Sequence, residues 1–192
     1  MIISPNTLSH YSPVLFLIRL TVDLLIMAFG VFLAAKLYRK GVFDKSQRTA
    51  CIVLFVWGAI VLLLTVLDRR AFITDEAVYN LQLFSCYRRV FIEHDQPMLI
   101  SVLQNIFMFV PIGFTLAVIF KKHRIIIPTL ISFGFSLFIE VCQLLLHSGF
   151  FEFDDLFNNT SGAFIGILLY LLYRRLWKNN KKEDDLTAEN DR

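Results

Sequence analysis

The chain has 192 residues, of which 56% are hydrophobic and only 18% are charged, so its composition lies outside the range of ordinary soluble domains. Its formal net charge of +3 is too small to indicate a protein that binds nucleic acid. The three cysteines show no CxxC spacing and so indicate neither a disulfide framework nor a zinc site. The composition therefore predicts an integral membrane protein.

Five segments are long and apolar enough to span a bilayer, and together they predict an all-α bundle of about five transmembrane helices. They cover residues 14–37, 50–67, 98–120, 125–146 and 160–176. Most connections between them are short, so we expect the helices to pack as sequential antiparallel neighbours. We expect one transmembrane domain over 1–178, followed by a disordered cytoplasmic tail over 179–192 because that segment is polar and charged.

The long connection at 68–97, between the second and third spans, contains an amphipathic pattern. Apolar residues recur there at intervals of three and four, namely Val78, Leu81, Phe84, Tyr87 and Phe91. This pattern predicts an amphipathic helix that lies on the outer membrane interface. The alternative is a simple loop that carries some apolar residues.

Lysine and arginine residues are distributed unevenly among the connections. Basic clusters follow the first, third and fifth spans, whereas the loop at 148–158 has no basic residue. With five spans these three clusters fall on one side of the membrane, so the positive-inside rule places the N-terminus outside and the C-terminus in the cytoplasm. The segment 68–97 and the acidic loop then face outward.

The fourth span carries a stripe of polar side chains. Glu140, Gln143 and His147 are spaced i, i+3 and i+7 and therefore share one helical face. From the helical rise, Asn105 on the third span lies roughly 10 Å below the outer edge and Glu140 roughly 9 Å below it. Because polar groups are costly against lipid, we expect Asn105 with its neighbours Ser101 and Gln104 to face this stripe in one outward-open pocket.

Two further ionisable groups, Arg19 and Asp23, are spaced i, i+4 on the first span. Arg19 is a candidate counter-ion for Glu140, and in the alternative it only neutralises Asp23. His147 is interpreted either as an interfacial histidine or as a proton shuttle or cation ligand. Because no spacing of the His-Glu-x-x-His kind is present, we predict neither a metal site nor a cofactor.

Polar residues also cluster where the fifth span begins. Asp154, Asp155, Asn159 and Thr160 could cap this helix, since free N–H groups and the helix dipole favour negative charge there. One cap needs a single side chain. We therefore expect at least one of these polar residues to have a functional role.

The third span contains two residues that weaken a helix. Pro111 and Gly113 would kink it and allow a neighbouring helix to approach closely. The alternative is an irregularity of the kind that membrane helices tolerate.

These residues form motifs that resemble those of the VanZ-like family, which is named for a teicoplanin-resistance protein. One motif places Asn105 ahead of Pro111-Ile112-Gly113, and another is Glu140-x-x-Gln143. The remaining motif comprises Phe151, Asp154, Asp155, Asn159, Thr160, Gly162 and Ala163. The resemblance covers 79–170 and assigns Pro111, Gly113, Thr160 and Gly162 to the structural part of the pattern. It implies a bacterial plasma-membrane protein with a role in reduced sensitivity to teicoplanin-type glycopeptides, and no settled biochemical mechanism.

The chain departs from the family pattern in its charges. The family usually has an arginine ahead of the acidic loop, where this chain has Gly149, and an aspartate where it has Glu152. Its Asn-Leu-x-Pro-Phe motif appears here at 80–84 without the proline. The loop acids therefore lack their expected cation, and a substitute would have to come from Arg19, Arg88, Arg89 or protonated His147.

Three functions are consistent with these features. The first is a non-catalytic protein that binds a membrane lipid or a lipid-linked envelope precursor, with a glycopeptide antibiotic as a further candidate partner. Its candidate binding residues are Arg19, Asn105, Glu140, Gln143, His147, Asp154, Asp155 and Asn159. The second is an intramembrane enzyme with Glu140 as general acid or base, which is less favoured because no nucleophile with an adjacent base is evident. The third is a small transporter or flippase, which with five spans would have to be a homo-oligomer.

Overall fold

The computed structural model describes residues 13–67, 78–146 and 150–190. In chain order the elements are α1 (Pro13–Arg39), α2 (Lys45–Leu62), a π-helical segment (Leu63–Leu67), β1 (Val78–Asn80), α3 (Ser85–Phe91), α4 (Gln96–Ile119), α5 (Ile126–Leu145), β2 (Phe150–Glu152) and α6 (Phe153–Asn190). Five of these helices, α1, α2, α4, α5 and α6, are long and apolar enough to cross a membrane. The prediction of an all-α, multi-pass membrane bundle is therefore confirmed.

Two of the long helices begin at side-chain caps that the sequence encodes. Asp44 accepts a hydrogen bond from the backbone N–H of Gln47, and the Gln47 side chain accepts one from the Asp44 N–H, which forms a capping box for α2. Asp95 accepts from the N–H of Met98 at the start of α4, and Pro97 occupies the first turn. These caps place the start of each helix within a few residues of the expected span.

Among the described elements, the most extensive helix–helix contact joins α4 and α6. Val110 faces Gly166, and Phe114 packs against Tyr170, so the two helices run parallel. A Cβ atom placed on Gly162 or Gly166 would overlap a backbone carbonyl of α4, and one on Gly113 would overlap the backbone of Ala163. Gly162 and Gly166 thus form a Gly-x-x-x-Gly face that lets the two backbones touch.

This contact corrects part of the expectation that spans adjacent in sequence pack together: α1 and α2, α2 and α4, and α5 and α6 do so, but α4 and α5 make little contact. α4 packs on α2 and α6 more than on α5, and α5 packs mainly on α6. The apolar core lies between these helices and consists of Val61, Val66, Phe109, Ile112, Leu116, Ile139 and Ala163. α1 is peripheral and contacts mainly α2, where Gly30 allows Phe55 to approach.

The segment between the second and third spans contains the expected helix, α3, but this helix is shorter than the apolar pattern predicted. Residues 78–80 form β1, which pairs in parallel with β2 at the start of α6 and aligns Asn80 with Glu152. Phe84 has a positive φ of 64°, so the helix begins only at Ser85 and ends at Phe91. The backbone pairing of β1 with β2 outweighs the local apolar periodicity, so Val78 and Leu81 lie outside α3. Residues 68–77 lie outside the described part of the chain.

The last helix includes most of the segment 179–192, for which the sequence predicts a disordered tail. α6 continues without a break to Asn190. No glycine or proline follows Gly166, and residues 179–190 include the good helix formers Lys, Glu, Leu and Ala. The helix therefore extends well beyond the apolar span.

The basic clusters come together at one end of the bundle. The Lys121 ammonium lies 2.7 Å from the Asp44 carboxylate and connects the α1–α2 and α4–α5 loops. Arg124 donates to the hydroxyl of Tyr170 at 2.6 Å, which places this part of α6 at the same end. We call this the basic end; the side of the membrane that it faces stays a prediction.

Candidate functional site

The polar stripe of α5 faces the interior of the bundle. Ser132, Ser136, Glu140 and Gln143 recur at intervals of four, four and three residues, and each side chain is at most 2% exposed. Such spacing places them on one face of the helix. The face that the sequence singled out is therefore buried among neighbouring elements.

Glu140 connects α5 to the strand pair. Its Oε2 accepts a hydrogen bond from the backbone N–H of Glu152, at a distance of 3.1 Å. Glu152 is the last residue of β2 and lies opposite Asn80 of β1. The carboxylate thus lies where α5, β2 and the start of α6 meet.

Gln143 connects α5 to the π-helical segment. Its Nε2–H donates to the carbonyl oxygen of Thr65 at 3.0 Å. Carbonyls in the last turn of a helix lack intrahelical partners, which leaves Thr65 able to accept this bond. Among the described residues the Oε1 of Gln143 has no hydrogen-bond partner.

Two further bonds join α6 to its neighbours at the same level. Asn105 of α4 donates to the Asp155 carboxylate at 2.6 Å, and Asn159 donates to the hydroxyl of Ser136 at 2.9 Å. α5 and α6 are antiparallel, and Ser136 of α5 faces Asn159 of α6. One helical turn further along, Glu140 of α5 therefore lies at the same level as Asp155 of α6. We call Asn105, Ser136, Glu140, Gln143, Asp155 and Asn159 the polar layer.

Asp154 is directed away from the polar layer and toward α3. It is 1% exposed and accepts three hydrogen bonds, from the N–H of Phe84 at 2.5 Å, the hydroxyl of Ser85 at 3.0 Å and the N–H of Cys86 at 2.8 Å. It therefore caps α3, a helix about 70 residues earlier in the chain, in place of its own helix α6. This contact differs from the expected capping of α6, and a role of Asp154 in binding stays a prediction.

The sequence did not predict a buried contact between α3 and α6. The hydroxyl of Tyr87 donates to Asn158 Oδ1 at 2.6 Å, and Asn158 Nδ2 lies 3.9 Å from Cys86 Sγ. Asn158 follows Asp154 by four residues, so the two share the face of α6 that holds α3. Burial, together with the nearby Asp154 carboxylate, raises the pKa of the Cys86 thiol to about 12.

Cys86 should be inert to thiol reagents in the folded protein. With a pKa of about 12, roughly one Cys86 thiol in ten thousand is ionised at pH 8, and the side chain is only 3% exposed. In a protein carrying Cys51→Ala and Cys142→Ala, maleimide labelling at pH 8 should be slowed by more than about a thousandfold relative to the unfolded chain. Equal labelling rates before and after unfolding would show that α3 does not cover this thiol.

The candidate counter-ions for the loop acids differ in how the structure places them. Arg89 forms an ion pair with Asp95 at 2.5 Å, so it is committed to the start of α4. Arg88 is exposed on α3. The part of the chain that the structure describes does not include His147, Gly149 or the side chain of Arg19. Asp23, the possible partner of Arg19, is 2% exposed and has no hydrogen-bond partner among the residues described.

A groove of about 620 Å³ runs between the α2–π-helical side of the bundle and α4. It is lined by Trp57, Leu64, Thr65, Ile100, Ser101, Leu103, Gln104, Asn105, Phe107 and Met108. Asn105 belongs both to this groove and to the polar layer. Gln104 is exposed in the groove, which corrects the expectation that it faces the α5 stripe.

The described ranges contain no group of three or more His, Cys, Asp or Glu side chains that could hold a metal ion. The polar layer instead combines carboxylates with amides and a hydroxyl. Such a set supplies hydrogen-bond donors and acceptors to a neutral or polar molecule.

Comparison with protein families decides the identity of the chain. The VanZ/LLP1 family model matches residues 49–174, about two thirds of the sequence. The chain belongs to the VanZ/LLP1 family. Comparison with curated proteins and with solved structures gave no match.

The VanZ/LLP1 match includes α2, which the motif-based resemblance over 79–170 left out. This extension is consistent with the structure, because Trp57 of α2 donates to the Met108 carbonyl at 2.8 Å and lines the groove. Within the matched region Pro111 lies inside α4 without ending the helix, and Gly113 and Gly162 lie at the α4–α6 contact. The Thr160 hydroxyl is buried and has no hydrogen-bond partner among the described residues.

Proposed function

We propose that this VanZ/LLP1 protein binds an envelope lipid, or the lipid part of an envelope precursor, through the groove and the polar layer behind it. The observation that carries the proposal is a pair of hydrogen bonds that connect the groove to the polar layer. Asn105 in the groove donates to Asp155, and Gln143 in the layer donates to Thr65 of the groove. A ligand in the groove would therefore contact side chains that the buried layer holds in place.

The burial of the polar layer supports a functional role. Glu140 and Gln143 are 1% and 2% exposed, and Asn159 is 4% exposed. Polar groups inside a membrane bundle are costly and are typically retained for binding or transport. Among the described residues, Gln143 Oε1 and Asn159 Oδ1 have no partner, so each could accept a further hydrogen bond from a ligand or from water.

The chemistry favours binding over catalysis. The thiol of Cys86, on α3, is 3% exposed and has a raised pKa of about 12. The hydroxyl of Ser136 accepts from the Asn159 amide, and an amide is not a base that could activate it. Neither Cys86 nor the Ser136–Asn159 pair therefore supplies an activated nucleophile.

The location of the site supports a ligand from the outer leaflet. The polar layer lies near the end of α5, the start of α6 and the first half of α4, opposite the basic end. If the basic end faces the cytoplasm, as the positive-inside rule predicts, the groove lies in the outer half of a bacterial plasma membrane. Occupancy by a wall or envelope lipid there is the route by which we propose that the protein affects sensitivity to teicoplanin-type glycopeptides.

The proposal predicts that Asn105→Leu depletes bound lipid. Lipids that copurify with the protein in mild detergent would be quantified by mass spectrometry, and one lipid class should be enriched over the bulk membrane. Asn105→Leu should lower that enrichment about tenfold, which corresponds to the loss of roughly 1.4 kcal/mol.

The matched control is Gln47→Leu. Gln47 is a buried amide that donates to the Ile119 carbonyl at 2.7 Å at the basic end, so its loss removes an interhelical hydrogen bond far from the groove. Lipid enrichment should be unchanged in this variant. Equal depletion in both variants, or no enriched lipid in the unmodified protein, would contradict the proposed function.

A further inference from the structure

We propose that the groove binds diacylglycerol by its uncharged glycerol end and discriminates against lipids that carry a phosphate there. The inference rests on the proposed function, because it specifies the chemistry of the ligand at that site. The charge, depth and hydrogen-bonding capacity of the groove support it.

The lining of the groove carries no charged side chain. Its polar residues are Thr65, Ser101, Gln104 and Asn105, together with the Trp57 indole, and the others are aliphatic, aromatic or Met. A phosphate transferred from water into such a lining would lose its hydration without gaining a cation, at a cost of several kcal/mol. A hydroxyl or an ester could instead be satisfied by the neutral groups present.

The depth of the polar side chains favours a lipid without a large headgroup. Ser101 and Asn105 follow the start of α4 at Gln96 by five and nine residues, which is roughly 8 and 14 Å along the helix axis. The headgroup region of one leaflet is only about 5 to 8 Å thick. If α4 enters the membrane at its first residue, as the predicted orientation implies, these groups lie at or below the ester groups of the lipid. A glycerol hydroxyl reaches that depth more readily than a phosphate does.

The hydrogen-bonding groups match one hydroxyl and one ester carbonyl. Asn105 uses an Nδ2–H to bond Asp155, and this bond orients its amide and leaves Oδ1 to accept from the lipid hydroxyl. Gln104 is exposed in the groove and can donate its Nε2–H groups to an ester carbonyl. The Trp57 indole N–H is already bonded to the Met108 carbonyl, so it contributes its apolar ring.

The apolar walls fit acyl chains. Leu64, Ile100 and Phe107 line the groove and are 57%, 55% and 67% exposed. The volume of about 620 Å³ lies within the range of small-molecule sites and holds a glycerol unit with the first part of two chains. One amphiphile can thus satisfy both the polar base and the apolar sides of the groove.

The test compares two lipids that have the same chains and differ only in the phosphate. The full-length protein in nanodiscs would be titrated with dioleoylglycerol and with dioleoylphosphatidic acid, and bound lipid counted by native mass spectrometry. We expect at least about a tenfold preference for dioleoylglycerol. Gln104→Leu, a change at an exposed side chain that should leave the fold intact, should remove most of this preference by weakening dioleoylglycerol alone.

The control is Thr129→Val, which alters a partly exposed residue near the start of α5, far from the groove, and should change the binding of neither lipid. If phosphatidic acid binds as well as dioleoylglycerol or better, and Gln104→Leu weakens it, the inference is overturned while the proposed function stands. If neither lipid binds above the level of the Gln104→Leu protein, and no other lipid copurifies with the unmodified protein, both are overturned.

Discussion

Replacing Gly162 with alanine should destabilise the bundle by about 3 kcal/mol, the upper part of the range for overpacked cores. The added methyl group would overlap the backbone carbonyl of Ile106, and a backbone atom cannot move aside as a flexible side chain can. The α4–α6 contact would have to widen along its length. Thermal unfolding in detergent, followed by circular dichroism, measures the effect.

Gly134→Ala is the matched control for this substitution. A Cβ atom on Gly134 of α5 meets no other atom within 4 Å, so the change only replaces glycine in a helix interior. It should stabilise the protein by about 0.5 to 1 kcal/mol. The two Gly→Ala substitutions should therefore change the stability of the protein in opposite directions. A Gly162→Ala protein as stable as the unmodified one would show that the backbones of α4 and α6 are not in contact.

Asp154→Ala should release α3 from the bundle. The substitution removes three hydrogen bonds to a buried carboxylate and leaves the N–H groups of Phe84 and Cys86 without their acceptor, at a cost of about 3 to 5 kcal/mol. The thiol of Cys86 would then become exposed to solvent. In the Cys51→Ala, Cys142→Ala background, its labelling by maleimide should rise by at least about a hundredfold in folded protein.

Asp44→Ala provides the comparison for Asp154→Ala. Asp44 also caps a helix, since it accepts from the Gln47 N–H, but it lies at the start of α2 at the basic end, away from α3. It should leave the labelling rate of Cys86 unchanged. If Asp154→Ala labels no faster than Asp44→Ala, then the carboxylate of Asp154 is not what holds α3 in place.

The fold class could be predicted from the sequence because it depends on local properties. Span length and apolar composition identify five membrane helices, and the spacing of Glu140 and Gln143 places them on one helical face. Family motifs in the right order were enough to identify the VanZ/LLP1 family. Each of these signals can be detected within one segment of the chain.

The contacts that shape the site depend on pairs of residues far apart in sequence. Asp154 bonds Phe84 and Cys86 about 70 residues away, and no local pattern distinguishes this cap from one on its own helix. β1 and β2 are three residues each, too short for alternation to be detected. A strand pair of this kind becomes predictable only once the packing of α5 and α6 is known.

The parallel contact of α4 and α6 was the largest departure from expectation. Short loops favour sequential neighbours, but Gly162 and Gly166 on α6 permit a backbone approach that no other described helix offers to α4. The Gly-x-x-x-Gly spacing is present in the sequence and could have indicated it. This contact positions Asn105 against Asp155 and so connects the groove to the polar layer.

The most direct test of the account is a structure of the protein determined in lipid nanodiscs. The account predicts ordered lipid density in the groove, with its polar end within hydrogen-bonding distance of Asn105 and Gln104, and loss of that density in Asn105→Leu. A well-resolved groove that contains no lipid in the unmodified protein, or ordered lipid that is equally present after Asn105→Leu, would contradict it.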